Sequence, residues 1–189
     1  MDRIILASGS PRRKELLNQI GIEYEVILSN VDEETEEIHP DLIVMDLSRQ
    51  KALEVASKVK DGSVVLGADT VVAVDGKILG KPASKYDAFD MLKSLSGRKH
   101  CVYTGVTLIK KYAEKDEIIT FAEKTEVYVK EMSDDEIRMY IESGESMDKA
   151  GAYGIQGRFA AFVEKINGDY NNIVGLPVSK VYDRLKELM

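Results

Sequence analysis

The chain has a single cysteine, Cys101. That excludes an intrachain disulfide and any Cys-rich zinc site, and the neighbours His100 and Val102 place the thiol on a strand, as a packed group. Long apolar runs are lacking too. The first, Ile4 to Ala7, lies between Arg3 and Ser8, which resembles neither a signal peptide nor a spanning helix. A cytoplasmic protein is expected. Positive charge is in deficit, with 26 Lys and Arg against 33 Asp and Glu and a net charge of -7. This balance opposes binding to nucleic acid polymers and to anionic membranes, because both scale with the basic charge facing the phosphates. A small polyanionic substrate remains open, received by a local cluster of cations, a metal ion, or both. The two histidines, His39 and His100, lie far apart without HExxH spacing, which argues against a zinc or catalytic role for either. Neither GxxxxGK[ST] nor GxGxxG occurs. No repeat, low-complexity tract or linker interrupts the chain.

What is present is enough apolar residue, 44% of 189, to bury a real core as one domain over 1–189, or as two closely packed lobes. Arg3 to Ser8 reads as a buried strand, and Ser10-Pro11 opens a helix that Gly21 stops. Tyr24 to Leu28 reads as a strand, Asp32 to Glu37 as an acidic loop, and Asp41 to Val59 as a helix with apolar residues at helical spacing. Two β-branched runs, Val64 to Leu66 and Val71 to Val74, flank Gly67-Ala68-Asp69-Thr70, which reads as a turn. Asp75-Gly76 marks a hairpin into Lys77 to Leu79. Ala83 to Leu95 reads as a helix, Cys101 to Ile109 and Phe121 to Val129 as a long antiparallel pair, and Asp134 to Glu142 as a short helix capped by Ser133. A Gly-rich stretch, Gly144 to Gly157, leads to a strand at Ala160 to Ile166 and a final helix from Pro177 to Leu188. Strands and helices mix without strict alternation, so a mixed α/β fold with an elongated mixed sheet is expected.

Four local features can carry chemistry. The first is Ser8-Gly9-Ser10-Pro11-Arg12-Arg13-Lys14, a strand turning into a helix N-terminus, where free backbone N–H groups attract anions and arginines add forked donors. A capped helix with a basic solvated face is the plainer reading. The second is Asp69, placed to bind a divalent cation, orient a water, or take its proton; an Asx turn looks the same locally. The third is the pair of cations Lys51 and Lys81, each suited to a phosphate as a mobile point charge, or simply solvated. Glu33 in the acidic loop can supply a second metal oxygen. The fourth is the run from Asp148 to Gly157, where glycines permit close approach and the Gln156 amide can donate to and accept from a base edge; a tight loop anchored by Tyr153 is the alternative.

Together, in this order, these features resemble the Maf family of nucleotide pyrophosphatases across essentially the whole chain. The strings are Ala-Ser-Gly-Ser-Pro-Arg-Arg at 7–13, Gly-Ala-Asp-Thr-Val-Val at 67–72, Gly-Lys-Pro at 80–82, Leu-Ser-Gly-Arg-Lys-His at 95–100, Asp-Lys-Ala-Gly-Ala-Tyr-Gly-Ile-Gln-Gly at 148–157 and Val-Gly-Leu-Pro at 174–177. The resemblance implies a fold related to inosine triphosphate pyrophosphatases, with helices flanking the sheet and a substrate cleft between two lobes, often as a homodimer. It implies hydrolysis of nucleoside triphosphates to monophosphate and pyrophosphate, with Asp69 as proton acceptor. Arg12, Thr70 and Gln156 are implied to mark specificity in the branch acting on dTTP and UTP, whereas the 7-methyl-GTP branch carries an acidic residue at the place of Gln156. Ser8, Arg13, Lys51 and Lys81 are expected on the phosphates, with Mg²⁺ or Mn²⁺ on Asp69 and Glu33. Removal of modified pyrimidine nucleotides and a regulatory role in septum formation are the further roles that the resemblance raises.

Overall fold

The computed structural model describes residues 3–189. Its strands are β1 (Arg3–Leu6), β2 (Glu25–Val26), β3 (Ser63–Val74), β4 (Lys77–Leu79), β5 (Lys99–Lys110), β6 (Glu117–Val129) and β7 (Val163–Asn167). Its helices are α1 (Pro11–Gln19), α2 (Pro40–Ala56), α3 (Lys85–Leu95), α4 (Asp134–Glu142), α5 (Tyr170–Val174) and α6 (Val178–Leu188). The sheet has seven strands in the order β2-β1-β3-β5-β6-β7, with β4 paired to β3. β1 pairs in parallel with β2 and β3, whereas β4 and β7 pair antiparallel with β3 and β6. The mixed α/β expectation therefore holds.

Two compact units share the strands: one comprises the residues up to Asp69, Thr104–Glu123 and Gly175–Met189, the other Thr70–Tyr103 and Lys124–Val174. In the first unit, Ile4, Ile5 and Leu6 stand in register with Val64, Val65 and Leu66. All six are buried, as parallel strands covered on both faces require, so they read as continuous apolar runs rather than as alternation. α2 lies against this sheet at van der Waals limits. A Cβ on Gly67 would run into the Ser48 carbonyl and come within 2.9 Å of Ala52, and one on Gly105 would run into the Val44 carbonyl. Two glycines thus let the helix backbone approach β3 and β5. Ser48, buried in that contact, donates to Met45 O or bonds Thr107 Oγ1 at 3.0 Å. α6 buries Val178, Val181, Leu185 and Leu188, one stripe at helical spacing.

In the second unit, α3 and α4 begin with side-chain caps at Ser84 and Ser133, the latter in a reciprocal capping box with Glu136. An aromatic cluster of Tyr140, Tyr153, Phe159 and Phe162 has ring centroids 4.4–5.7 Å apart.

Several local expectations are corrected. Gly67 to Thr70 is no turn: β3 runs unbroken through it, because Gly67 serves the close approach of α2. Ser10 occupies the N-cap of α1 without a capping bond; instead its N–H donates to Ser8 Oγ. Residues 158–162 form a 3-10 turn, so the strand begins at Val163. α5 was not foreseen, and Cys101 is half-buried on β5.

Candidate active site

In the first unit the segment after β1, the start of α1, the loop before α2, α2 itself and β3 carry six of the expected site residues. Lys51, one turn beyond Ser48 on α2, reaches Asp69 Oδ1 at 2.7 Å and Glu33 Oε2 at 2.9 Å. Its side chain and that of Asp69 are only 13% and 15% exposed, against 44% for Glu33. One ammonium therefore holds the two carboxylates expected to share a metal. Such a partly desolvated pair is stronger than a surface one, because water screens it less.

Arg13 extends from the first turn of α1 into the same region. Its Nη1 donates to Ser8 Oγ at 3.0 Å and its Nε to the Gly175 carbonyl at 2.9 Å. Burial pulls the guanidinium below its ordinary value, the charges of Asp69 and Glu33 act against this, and Arg12 reinforces it. It nevertheless stays a cation, since guanidinium does not deprotonate in proteins. Ser8 is buried and links Arg13 to the Ser10 amide, so its hydroxyl ties strand to helix just where the chain turns. Arg12 lies beside Arg13 on the same helical turn.

Glu33 also borders an open hollow of about 880 Å³ lined by Glu34, Thr35, Glu36, Glu37 and Asp46. Five carboxylates there repel a triphosphate that carries no cation.

The second unit carries the other three expected residues. Thr70 follows Asp69 on β3 and is half-buried. Lys81 is exposed on the turn after β4, beside buried Pro82, and the preceding Gly80 carbonyl accepts from Gly151 N–H at 3.0 Å. Gln156 is exposed in the segment after Tyr153. A bond therefore joins the Lys81 turn to the segment that bears Gln156.

Sequence reasoning missed the Gly175 carbonyl, which orients Arg13 but leaves no side-chain signal. It also missed Gly67 and Gly105, whose packing role only the helix contact reveals. His100, set aside as a ligand, proves to be buried against Tyr153, with Nε2 and the phenol oxygen 2.7 Å apart. Among the described residues no group of three or more His, Cys, Asp or Glu can hold a metal ion by itself, and no helix is long and apolar enough to cross a membrane.

Comparison with known proteins agrees with the motifs. The Maf-like protein family matches residues 3–188. A dTTP/UTP pyrophosphatase of Thermoanaerobacter sp. (strain X514) is 53% identical over 185 residues, covering 97% of this chain and 95% of that protein. Proteins of the same name are 52% identical in Carboxydothermus hydrogenoformans, covering 98% of both chains, and in Clostridium perfringens (strain 13 / Type A), covering 97% of this chain and 96% of that one. In three dimensions the chain is similar to a HAM1 protein from Coxiella burnetii, with a TM-score of 0.51 at 14% identity, covering 99% of this chain and all of that one. That likeness carries the fold alone. With its motifs matched from end to end, the chain belongs to the family of Maf-like proteins.

Proposed function

We propose that the protein hydrolyses nucleoside triphosphates, dTTP and UTP foremost, to nucleoside monophosphate and pyrophosphate. The observation that carries this reading is the Lys51 ammonium shared by Asp69 and Glu33 beside Arg13; the names of the curated relatives support the substrate. Water attacks the α phosphorus, the bond to the oxygen bridging the α and β phosphorus breaks, and pyrophosphate departs. Asp69 accepts the proton of the attacking water. Arg13 and Lys51 neutralise charge that grows on the phosphate oxygens, with Ser8 as a further donor.

The donor set fits a hard divalent cation. Mg²⁺ is usually held by one or two carboxylates together with substrate phosphates rather than by an all-protein cage. Asp69 and Glu33, both within reach of one ammonium, would supply those two carboxylates. When bound there, Mg²⁺ or Mn²⁺ supplies charge neutralisation at the phosphates and lowers the pKa of water.

Gln156 accepts from the ring N–H of uracil or thymine and donates to a neighbouring carbonyl. The test is a panel of triphosphates with Mg²⁺ or Mn²⁺, with and without EDTA. The highest kcat/KM is expected for dTTP and UTP, and none after chelation. Full activity in EDTA overturns the metal, and equal turnover of all bases overturns the specificity.

A further inference from the structure

The second unit buries a polar pair that the proposed chemistry does not use. His100 and Tyr153 are 1% and 5% exposed, their rings meet edge-on with centroids 5.3 Å apart, and Nε2 lies 2.7 Å from the phenol oxygen. Tyr153 stands between two contrasting stretches of chain. Before it, Gly151 and Ala152 both have positive φ, 67° and 61°. Ala152 is fully buried, and a side chain in that conformation is held only where its surroundings impose it. After it, the segment to Gly157 is fastened at both ends. Gly154 N–H donates to the Tyr140 hydroxyl at 3.1 Å, and a Cβ on Gly154 would come within 2.6 Å of the Lys149 stem. Gly157 leaves room for the Glu145 carboxylate, which accepts from Arg158 N–H at 2.9 Å. Between these fastenings Gln156 is exposed.

We infer that His100 and Tyr153 are positioning residues: their buried hydrogen bond holds residue 152 in its left-handed conformation and so presents Gln156 in one orientation for selection of the base. The inference rests on the proposed reading that Gln156 meets the base. Tyr153 also packs on Phe159, which touches Tyr140, so the two hydroxyls that fix the segment belong to one aromatic cluster. Desolvation holds the imidazole neutral, its pKa drawn down to about 4, and keeps the bond free of charge at neutral pH. Through Gly151 N–H and Gly80 O the same anchor reaches the turn that carries Lys81.

The test compares Tyr153→Phe, which keeps the ring and loses the hydroxyl, with His100→Leu, His100→Gln and Gln156→Ala. Two quantities are read: amide exchange of Gly154 to Gly157, and the ratio of kcat/KM for dTTP over CTP. Loss of the bond should speed exchange in this segment roughly tenfold, as expected when one partner of a buried hydrogen bond is left unpaired. The dTTP preference should fall with it in Tyr153→Phe and His100→Leu, and His100→Gln, which can still bond the phenol, should restore both. Unchanged exchange in Tyr153→Phe and His100→Leu overturns the anchor. Faster exchange with an unchanged ratio, in a protein where Gln156→Ala lowers that ratio, overturns the selection role. An unchanged ratio in Gln156→Ala overturns base reading by Gln156 and the selection role built on it, while exchange in Tyr153→Phe still decides the anchor separately.

Discussion

Lys51 serves two carboxylates with one ammonium, and removal of either changes what the other can do. In Asp69→Asn the proton acceptor and the anionic charge that would hold a metal disappear together. Loss of a general base alone typically costs about 10²- to 10⁴-fold, so kcat for dTTP should fall at least that far. Glu33 keeps Lys51 partly satisfied, yet the hydrogen bond to a charged group is worth about 1.5–3 kcal/mol, and the melting temperature should drop by roughly 3–10 °C. Steady-state hydrolysis beside thermal melting checks both. A folded variant that keeps more than about a tenth of wild-type kcat would move the chemistry to Glu33. Gln156→Glu is expected to lower kcat/KM for dTTP and UTP, because a carboxylate offers no donor to a pyrimidine carbonyl and adds repulsion near phosphates. An unaltered nucleotide preference would remove Gln156 from base recognition. Asp69, Lys51, Arg13 and Gln156 were all legible as chemical types in the sequence. The Gly175 carbonyl that fixes Arg13 was not, since a backbone acceptor has no residue signature.

Elements set the distances among these groups, and α2 sets the most important one. Its backbone is pressed onto β3 at Gly67 and onto β5 at Gly105, which brings Lys51 down to Asp69. Gly105→Ala would drive a methyl group into the Val44 carbonyl, and overpacking of this kind costs about 1–3 kcal/mol. The expected outcome is a lower melting temperature with a disproportionate rise in KM, as α2 and Lys51 lift away. A variant with wild-type melting and KM would contradict the role given to that glycine. The same contact explains why Gly67 to Thr70 reads as a turn in sequence yet lies within β3. Gly and Asp are turn residues locally, but here glycine is required by a neighbouring helix, and tertiary packing overrides propensity. The apolar spacing of α2 was legible in its second half, where Ala52, Val55 and Ala56 are buried, whereas in its first turn Val44 is buried and Leu42 is 39% exposed. The α4 cap followed directly from local pattern, because it depends on near neighbours alone. His100 and Tyr153 are 53 residues apart, and no spacing rule joins them.

For the molecule as a whole, stability against acid should reflect His100. Its pKa falls from the ordinary 6.5 to about 4 by desolvation, so the unfolded chain binds a proton that the folded one refuses. Stability from this group is complete above about pH 6.5 and lost as pH falls toward 4, by roughly 3 kcal/mol in all. Carboxylates held low by partners, such as Glu126 at about 2, matter only below the ordinary carboxylate range, which leaves pH 6.5 to 4.5 to the histidine. Thermal melting across that window should decline in the wild type and far less in His100→Gln; equal slopes would contradict the assignment. The proposed chemistry rests on which phosphorus is attacked and which bond breaks. Hydrolysis of dTTP in ¹⁸O-water, with the products weighed by mass spectrometry, decides this: the account predicts dTMP carrying one heavy oxygen and unlabelled pyrophosphate, and dTDP with phosphate, or label in the pyrophosphate, would contradict it.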